Sequence, residues 1–353
     1  MAVRVAINGF GRIGRAFARR AYGRDMDSNG SPQVELVAVN DLGSLENLAY
    51  LLKYDTVYGR APFSVKVRPS QGGDTGALLI DGREVRFCSE KEPANLPWRE
   101  LDVDVVVEST GFFTDPEKAH THIAAGAKRV VVTAPFAKGN VEGALGATVL
   151  MGVNEERFSG CQITSNASCT TNAASPIIAI LDEALGIEKA ILSTTHAYTA
   201  SQSLVDGPSR KDMREGRAAA ANIVPTATGA ATAVTKAYPS LAGKFDGISL
   251  RVPVMAGSIA DITFIAKRPT SAEEVNEILC AAAQLPRWKG IFSVTDEELV
   301  SSDIVGEACA SIADLPMTRV VDGNLVKVLA WYDNEMGYTE SLVHHVLAAA
   351  RAL

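Results

Sequence analysis

The chain begins with a short apolar run that is followed by a polar, glycine-containing turn. Residues 3–7 are apolar and mostly β-branched, which predicts a buried strand, and residues 12–22 have the periodicity of a helix. A second apolar run at 34–39 predicts the next strand. The segment 23–32 between them is polar and rich in Gly, Asp and Ser, so we expect a surface loop there.

The alternation of strands and helices continues along the first half of the chain. Apolar runs at 103–107 and 129–133 predict two more strands, and a helix is predicted between them, after Asp115-Pro116. Strands that alternate with helices need crossover connections. They therefore indicate a parallel sheet with helices on both faces.

From about residue 190 the pattern changes to longer strand-like segments, which predict a second sheet. These segments lie at 190–195, 245–252, 260–266 and 326–331. The final stretch, 337–353, is helical in pattern and is expected to pack back on the first domain. A chain of 353 residues also exceeds the roughly 250–300 residues of one hydrophobic core, so two domains are predicted.

Composition and charge limit the possible partners and locations. Hydrophobic residues make up 47% of the chain and charged residues 21%, as in ordinary globular proteins. The net charge of −7 argues against broad binding to nucleic acid or anionic lipid, although a local basic site for a small phosphorylated substrate stays possible. The five scattered cysteines form no Cys-x-x-Cys pair, and no signal peptide or long apolar run is visible. We expect a soluble cytoplasmic protein without disulfides or a metal site.

The turn after the first strand fits the Gly-x-Gly-x-x-Gly fingerprint of dinucleotide-binding folds. Gly9, Gly11 and Gly14 stand between a strand and a helix, which is the context that the motif requires. Asp41 follows the next strand, 41 − 14 = 27 residues past the last glycine rather than about 20, and the polar loop accounts for the excess. A plain glycine turn and a plain turn aspartate are the alternatives. Together the two features predict NAD, because a carboxylate at this place accepts ribose hydroxyls and repels a 2′-phosphate.

Cys169 lies among small polar residues just ahead of a helical run through Leu185. At such a helix start, backbone amides and the helix dipole favour a thiolate, which predicts a nucleophile. The alternative is a buried inert cysteine, the commonest fate of a lone Cys. Pro176 would interrupt a helix that begins at Thr170, so a kink or a late start is expected.

His196 is the predicted base for this nucleophile. It lies 196 − 169 = 27 residues beyond Cys169, after one helix and one strand. A helix running out to Gly186 and a strand running back cover similar distances, so the two side chains should meet. An imidazole there can activate the thiol and later act as acid and base. The remaining histidines are expected on the surfaces of helices rather than in a metal site; they are His120, His122, His344 and His345.

Several motifs, in order, resemble those of the glyceraldehyde-3-phosphate dehydrogenase family. They are INGFGRIGR at 7–15, SNASCTTN at 165–172, THAYT at 195–199, RVP at 251–253 and WYDNE at 331–335. The resemblance runs from residue 3 to the end of the chain. It implies an α/β fold with an N-terminal Rossmann NAD-binding domain at 1–168, completed by a C-terminal helix at 334–353. It also implies an α+β catalytic domain with a large mixed or antiparallel sheet at 169–333.

The same resemblance implies which residues bind the cofactor and the substrate. The implied NAD contacts are Gly9, Gly11, Arg12, Ile13, Gly14, Asp41, Lys91, Ser109 or Thr110, Asn334 and Tyr338. The implied substrate and phosphate contacts are Ser168, Thr170, Thr199, Arg217, Thr228, Gly229 and Arg251. Hydroxyls, amides and one cationic fork are suitable donors for phosphate. A homotetramer is implied as well.

The chain departs from the family pattern at a few positions. Lys91 stands where Arg is common, Ala173 where a second Cys is frequent, and Met336 where Trp is usual. Glu215 occupies the place of a phosphate-binding Arg in many bacterial relatives, so either Arg214 or Arg217 could supply that charge. Leu42 and Gly207-Pro208 are similar to the NAD-selective form.

The resemblance implies a glycolytic activity, the oxidation of D-glyceraldehyde 3-phosphate with NAD and inorganic phosphate through a cysteine thioester. An erythrose-4-phosphate dehydrogenase, which shares the nucleophile and cofactor but hydrolyses the thioester, is the nearest alternative. A non-catalytic NAD-binding or RNA-binding role is an alternative of another class, because fold alone does not determine function.

Overall fold

The chain forms two units, each with its own sheet. In a computed structural model, the residues that the structure describes are 2–23, 33–72, 75–137, 145–209 and 212–353. The first unit comprises Met1–Val149, Glu155–Ala167 and Leu342–Leu353, and the second comprises Leu150–Asn154 and Ser168–Ser341. The polar loop predicted at 23–32 falls, from residue 24 onward, outside the described residues.

The first unit alternates strands and helices at its start and contains a run of short strands after them. Its elements are β1 (Val3–Asn8), α1 (Arg12–Gly23), β2 (Val34–Asn40), α2 (Leu45–Lys53), β3 (Tyr54–Asp55), β4 (Gly59–Arg60), β5 (Val65–Arg68), β6 (Ala77–Ile80), β7 (Arg83–Cys88), β8 (Val105–Glu108), α3 (Pro116–Ala124), β9 (Arg129–Val132), β10 (Ala147–Thr148) and β11 (Ile163–Ser165). The strands predicted at 34–39, 103–107 and 129–133 are confirmed to within two residues.

The first sheet has nine strands in the order β10-β11-β9-β8-β1-β2-β7-β6-β5. Strands from β10 through β7 pair in parallel, as the alternation with helices predicts. Strands β5, β6 and β7 form an antiparallel edge, which the sequence did not predict. The carboxyl ends of β1, β2 and β8 therefore meet at one edge of the sheet, where Gly9, Asp41 and Ser109 follow them.

The core of the first unit explains why its central strands are almost purely apolar. Strands β1 and β8 are covered on both faces, and Val106 and Val130 are fully buried with Trp98 in one cluster. A strand that is buried on both faces carries no polar alternation. This is why short β-branched runs identified these strands in the sequence.

The second unit consists of long strands and the helices that cover one face of their sheet. Its elements are α4 (Cys169–Leu185), β12 (Ile187–Ala197), β13 (Val224–Ala227), α5 (Ala230–Ala237), β14 (Phe245–Val252), β15 (Ser258–Ala266), α6 (Ala272–Ala283), β16 (Phe292–Thr295), β17 (Ser311–Val321), β18 (Leu325–Tyr332) and α7 (Met336–Arg351). The strands predicted at 190–195, 245–252, 260–266 and 326–331 are confirmed, with β12 longer at both ends.

The second sheet has seven strands in the order β13-β14-β12-β15-β18-β17-β16, and most of its pairs are antiparallel. Strand β12 lies between β14, its parallel neighbour, and β15, its antiparallel neighbour. Even-numbered residues of β12 point to the face that α4 covers, so Leu192, Thr194 and His196 are buried. Ile191 lies on the opposite face, together with Ile248 and Leu325, and all three are substantially exposed.

Helix α4 begins at Cys169 with Ser168 as its N-cap, and the Ser168 side chain accepts a hydrogen bond from the Thr171 amide. Of the two predicted effects of Pro176, the late start is wrong, because the helix begins at Cys169 and continues past Pro176; a kink stays a prediction. Proline removes one helical hydrogen bond at a cost of about 3 kcal/mol or more. The burial of nearly every residue from Thr170 to Leu181 offsets this cost.

The last helix, α7, matches the prediction at 337–353 to within two residues. The boundary between the two units falls inside it, after Ser341. Within the described ranges, no helix combines the length and the hydrophobicity that crossing a bilayer would need.

Two of the histidines that were expected on helix surfaces are buried, so that prediction is wrong for His122 and His345. Each faces inward and is satisfied by neighbours: His122 by Trp98 and Glu108, and His345 by Thr164 and Asn166. Among the described residues, no three His, Cys, Asp or Glu side chains are grouped so that they could hold a metal.

His345 makes the stability of the first unit sensitive to acid. Burial lowers the pKa of His345 from 6.5 to about 3, so the unfolded state takes up a proton more readily than the folded state. Its contribution to stability is present above pH 6.5 and is lost as the pH falls toward 3, at about 1.4 kcal/mol per pH unit. We expect His345→Gln to show a shallower loss of melting temperature than the unmodified protein between pH 7 and pH 5, measured by calorimetry.

The exposed His120 of α3 offers a matched control. His120→Gln should retain the steep dependence of the unmodified protein. An equally steep curve in His345→Gln would show that this buried imidazole does not contribute to the acid sensitivity.

Candidate active site

Two of the three glycines in the turn after β1 pack closely against neighbouring backbone, and the third has open space beside it. Gly9 has φ +93°, and a Cβ there would lie 2.6 Å from the Thr110 amide nitrogen; at Gly14 it would lie 2.3 Å from the Gly9 carbonyl oxygen. At Gly11, in contrast, a Cβ would meet nothing within 4 Å. The open side at Gly11 is where a pyrophosphate can approach the backbone, so these residues fit a dinucleotide.

Helix α1 begins directly at this turn, with Arg12 and Ile13 as its first residues. Their amides are among the N–H groups that a helix leaves without an internal acceptor, which suits an anion. The Arg12 guanidinium forms an ion pair with Asp55 and lies 5.3 Å from the centre of the Tyr58 ring. The structure therefore holds this cation beside the predicted phosphate position.

A cavity of about 500 Å³ opens beside the turn, within the first unit. Four of the predicted cofactor residues line it: Gly9, Asp41, Lys91 and Thr110. Leu42 and Phe112 also line it and are 65% and 79% exposed, unusual values for large apolar side chains. A cavity of this size with apolar walls and a few polar groups suits a planar base and a ribose.

The carboxylate of Asp41 is held in place by two backbone amides. Its Oδ2 accepts from the Phe10 amide at 2.7 Å, and its Oδ1 accepts from the Gly43 amide at 2.8 Å. Each carboxylate oxygen can accept more than one hydrogen bond, so capacity remains for ribose hydroxyls.

The sequence left Ser109 and Thr110 as alternatives for one cofactor contact. The Ser109 hydroxyl donates to the Gly9 carbonyl at 2.6 Å and therefore serves the turn itself. Thr110 lines the cavity, and its hydroxyl donates to Glu108 at 2.5 Å. Its position at the cavity favours Thr110.

Cys169 occupies the first position of α4 and is partly accessible. Two residues earlier, Ala167 has φ +52°, a left-handed conformation that a non-glycine residue adopts at a cost. No sequence signal marked Ala167, because the strain depends on the path of the chain. The sharp turn brings the buried strand β11 into the helix start that carries the thiol.

The structure brings His196 to Cys169, as the spacing predicts. Helix α4 runs out, β12 runs back, and Cys169 Sγ lies 3.3 Å from His196 Nε2. His196 Nδ1 lies 2.6 Å from the Ala197 carbonyl oxygen, which suits a proton on Nδ1, and it also contacts the donor-only guanidinium of Arg251, which suits a bare Nδ1. The tautomer with its proton on Nδ1 leaves Nε2 able to take the thiol proton.

Arg251 is the third member of this cluster because of sheet register. Strands β12 and β14 are parallel, and His196 pairs directly with Arg251. The Arg251 guanidinium contacts His196 Nδ1 and donates to the Ala197 carbonyl at 3.3 Å, while its buried Nε has no hydrogen-bond partner. A buried cationic group with an unused donor is suited to an anion.

Burial sets the protonation of the pair. It raises the pKa of the Cys169 thiol, and Arg251 and the hydrogen bonds from Thr170 lower that pKa in part. Burial and the positive charge of Arg251 lower the pKa of His196 to about 3. His196 is therefore a neutral base at neutral pH, and the thiol depends on it for removal of its proton.

A chain of three hydroxyls, which the sequence reasoning missed, supports the residue next to the thiol. Tyr332 OH lies 2.9 Å from Thr170 Oγ1 and 2.8 Å from Thr194 Oγ1. Thr194 also donates to the Ile259 carbonyl at 3.2 Å. The alternation of side chains along a strand could have identified Thr194. It precedes His196 by two residues on β12, so both side chains point to the face that α4 covers.

The other predicted substrate residues occupy several loop positions. The Thr199 hydroxyl lies 3.0 Å from Ser201 Oγ just after β12. Thr228 and Gly229 precede α5, and a Cβ at the exposed Gly229 would meet nothing within 4 Å. Such an open helix start can present amides to phosphate.

Arg214 and Arg217, the two candidates for the phosphate charge, each form an exposed ion pair. Arg217 pairs with Asp206 at 2.9 Å, and Arg214 pairs with Asp212 at 2.7 Å. Both side chains are more than half exposed, at 63% and 59%. Either can be released to an anion at low cost, because exposed ion pairs contribute little.

Asn334 and Tyr338, the last two predicted cofactor contacts, belong to the second unit. Asn334 follows β18 and is 6% exposed, and its Oδ1 accepts from Ser258 Oγ at 3.0 Å. Tyr338 lies in the first turn of α7 and is 4% exposed. Their contact with NAD remains a prediction.

Comparisons with known proteins agree with the motifs. Residues 3–116 match the family described as "Glyceraldehyde 3-phosphate dehydrogenase, NAD binding domain", and residues 168–334 match "Glyceraldehyde 3-phosphate dehydrogenase, C-terminal domain".

Curated relatives extend this similarity to the whole chain. The chain is 47% identical over 355 residues to the glyceraldehyde-3-phosphate dehydrogenase of Mycobacterium avium, with 100% of both proteins covered. It is 46% identical over 345 residues to glyceraldehyde-3-phosphate dehydrogenase 2 of Streptomyces arenae, with 97% of each covered. It is 45% identical over 360 residues to the enzyme of Mycolicibacterium smegmatis, again with 100% covered. The resemblance seen in the sequence is thereby confirmed, and the chain belongs to the glyceraldehyde-3-phosphate dehydrogenase family.

Proposed function

We propose that this protein oxidises D-glyceraldehyde 3-phosphate with NAD and inorganic phosphate to 1,3-bisphosphoglycerate, as a cytoplasmic enzyme of glycolysis. The observation that carries the proposal is the 3.3 Å contact between Cys169 Sγ and His196 Nε2 at the start of α4. It occurs in a chain that matches both domains of the family. The cytoplasmic location rests on the five free cysteines, which suit a reducing compartment.

Cys169 is the nucleophile in this proposal and His196 is the acid and base. As Sγ attacks the aldehyde carbon, its proton passes to His196 Nε2, and the new oxyanion accepts hydrogen bonds from the Cys169 amide and from Nε2–H. Bound NAD supplies the hydride acceptor for this oxidation. The proton on Nε2 moves to the oxyanion to form a hydroxyl, and His196 takes it back as the C–H bond is lost as hydride and the carbonyl re-forms, so a thioester remains on Cys169. Attack by phosphate on the thioester carbonyl releases the acyl phosphate and restores the thiol with the proton from His196.

Two anions, the substrate phosphate and inorganic phosphate, need donors around this pair. We assign them to Ser168, Thr170, Thr199, Arg217, Thr228, Gly229 and Arg251. The unused Nε of Arg251 and the open helix start at Gly229 are the observations that support the assignment. An anion bound to Arg251 also offsets the positive charge of this side chain. Because that charge disfavours protonation of the His196 imidazole, the bound anion makes His196 a better proton acceptor.

The first unit supplies the NAD site. The open turn at Gly11, the helix start at Arg12 and Ile13, and the cavity beside Asp41, Lys91 and Thr110 fit the cofactor. We propose that residues 1–168 with helix 334–353 form the NAD-binding domain and that 169–333 form the catalytic domain. Asn334 and Tyr338, near the start of the segment 334–353, are further proposed cofactor contacts.

The alternatives considered for the sequence are not favoured. Both matched domains and the relatives described above carry the name of the glyceraldehyde enzyme rather than an erythrose-4-phosphate dehydrogenase. The close Cys169–His196 contact argues against a purely binding role, because binding alone needs no nucleophile and base. Rates with the two aldehydes, with and without phosphate, distinguish the two enzymes.

We also propose a homotetramer. The face of the second sheet opposite α4 carries exposed apolar side chains, including Ile191 at 56% and Ile248 at 53%. A monomer rarely exposes such a sheet face, and a second copy of the chain would cover it. Light scattering should give four times the chain mass of 37.3 kDa; a stable monomer would contradict the assembly.

Replacing the nucleophile tests the proposed chemistry. Cys169→Ser should lower NADH formation by about a thousandfold or more, because a serine hydroxyl is far less acidic and less nucleophilic than a thiol. The affinity for NAD should stay within about twofold, since the cofactor cavity belongs to the first unit. Steady-state rates and calorimetric titration with NAD measure the two effects.

Cys280 of α6 provides the control, because it is also a partly exposed free thiol. Cys280→Ser should keep full activity. Normal turnover in Cys169→Ser would refute the proposed role of Cys169.

The cofactor preference tests the role of Asp41. Its carboxylate faces the adenosine cavity, and repulsion of a bound 2′-phosphate should cost about 1–4 kcal/mol. We expect kcat/KM to be at least about tenfold higher with NAD than with NADP. Asp41→Ala should narrow the ratio, mainly by impairing NAD use. Equal kcat/KM for both cofactors in the unmodified protein would contradict this role.

A further inference from the structure

A carboxylate is buried beneath the cofactor cavity, where no catalytic role requires it. Glu108, the last residue of β8, is 2% exposed. Its Oε1 accepts from the amide of Thr110 at 2.8 Å and from the hydroxyl of the same residue at 2.5 Å. Its Oε2 accepts from Asn8 Nδ2 at 2.6 Å and lies 3.0 Å from His122 Nε2.

The proton on His122 can be placed from its other neighbour. Trp98 Nε1 lies 3.0 Å from His122 Nδ1, and an indole N–H can only donate. His122 Nδ1 is therefore the acceptor, so the proton of the neutral ring is on Nε2 and is donated to Glu108.

Four donors thus converge on the two oxygens of Glu108. A carboxylate only accepts hydrogen bonds, so it can use all four of these donors at once. In the part of the chain that the structure describes, no lysine or arginine pairs with it. The charge is held by neutral hydrogen bonds alone, an arrangement that tolerates no missing donor.

This charge orients the polar floor of the cavity. Because Asn8 turns its NH₂ group to Glu108, its Oδ1 accepts from Asn40 Nδ2 at 2.7 Å. Asn40 in turn exchanges hydrogen bonds with the backbone of Glu90, at 2.8 Å and 2.9 Å. Asn8, Asn40, Glu90 and Thr110 all line the cavity of about 500 Å³.

We propose that Glu108 is a positioning residue for the cofactor. Its buried charge orients Asn8 and Thr110 by direct hydrogen bonds. It also orients the segment that starts at Glu90, because Asn40 links that segment to Asn8. Trp98 and His122 hold the carboxylate in place. The consequence is a cavity floor that is arranged before the adenosine half of NAD arrives, which lowers the entropic cost of binding. The inference rests on the proposed use of NAD.

Glu108→Gln tests the proposal with almost no change in volume. The NH₂ group of the introduced glutamine lies either toward Thr110 or toward Asn8 and His122. In both orientations it meets hydrogen-bond donors, so Asn8 or Thr110 has to turn away. We expect the Kd for NAD to rise by about tenfold or more, while kcat at saturating NAD stays within about twofold. A merely structural role would lower the melting temperature without separating Kd from kcat.

Glu100→Gln is the matched control, because Glu100 is an exposed residue of the same unit that pairs with Arg86. It removes the same charge and should leave the Kd for NAD within about twofold. An unchanged Kd in Glu108→Gln, or an equal rise in Glu100→Gln, would overturn the proposal.

A second pair of variants applies even if Glu108→Gln does not fold. The amide of His122→Gln can donate to Glu108 and accept from Trp98, whereas His122→Leu can do neither. We expect His122→Leu to weaken NAD binding by about fivefold or more and His122→Gln to recover most of the affinity. Equal affinities in the two variants would overturn the inference. A failure of the proposed function would instead be visible in the unmodified protein, as absence of NAD binding or turnover.

Discussion

The site depends on the matched lengths of one helix and one strand. Helix α4 carries the chain about 25 Å away from Cys169, and β12 returns it about 30 Å to His196. Adding or removing one turn of α4 would move Cys169 by about 5.4 Å along the helix axis, so Sγ and Nε2 would no longer lie within hydrogen-bonding distance. The capped start at Ser168 and the strained Ala167 define the beginning of this path.

Burial of the covered sheet face then determines the chemistry. His196, Arg251 and Tyr332 all point toward α4, where water is largely excluded. The same burial makes His196 a neutral base and raises the pKa of the Cys169 thiol. Charge can therefore develop only as the proton moves between them, so the geometry of the pair and the chemistry of attack are linked. Burial also matters in the first unit, where the buried carboxylate of Glu108 orients neutral groups around a cavity.

Much of this structure was predictable from the sequence. Strands buried on both faces, such as β1 and β8, are uninterrupted apolar runs, and the glycine turn and Asp41 follow from the fingerprint. The Cys169–His196 contact followed from element lengths alone. The roles of the predicted site residues rest on the family resemblance.

Other features depend on tertiary contacts that local patterns do not encode. The short antiparallel strands β5 and β6 were missed because each spans only four residues, too few to show a clear alternation. His122 and His345 were misplaced because a polar residue on a helix reads as a surface residue until its buried partners are known. Pro176 does not delay the start of α4, since packing around this helix outweighs one lost hydrogen bond. The network around Glu108 joins residues up to 114 positions apart, which no short motif can show.

The central claim is that Cys169 carries the acyl group between oxidation and phosphate attack. The most direct test mixes the unmodified protein with NAD and glyceraldehyde 3-phosphate in the absence of phosphate, stops the reaction with acid and maps the peptides by mass spectrometry. We predict one 3-phosphoglyceroyl group on the peptide that contains Cys169, and its loss when phosphate is added before the acid. An unmodified Cys169 peptide during NADH formation, or the acyl group on another cysteine, would contradict the account.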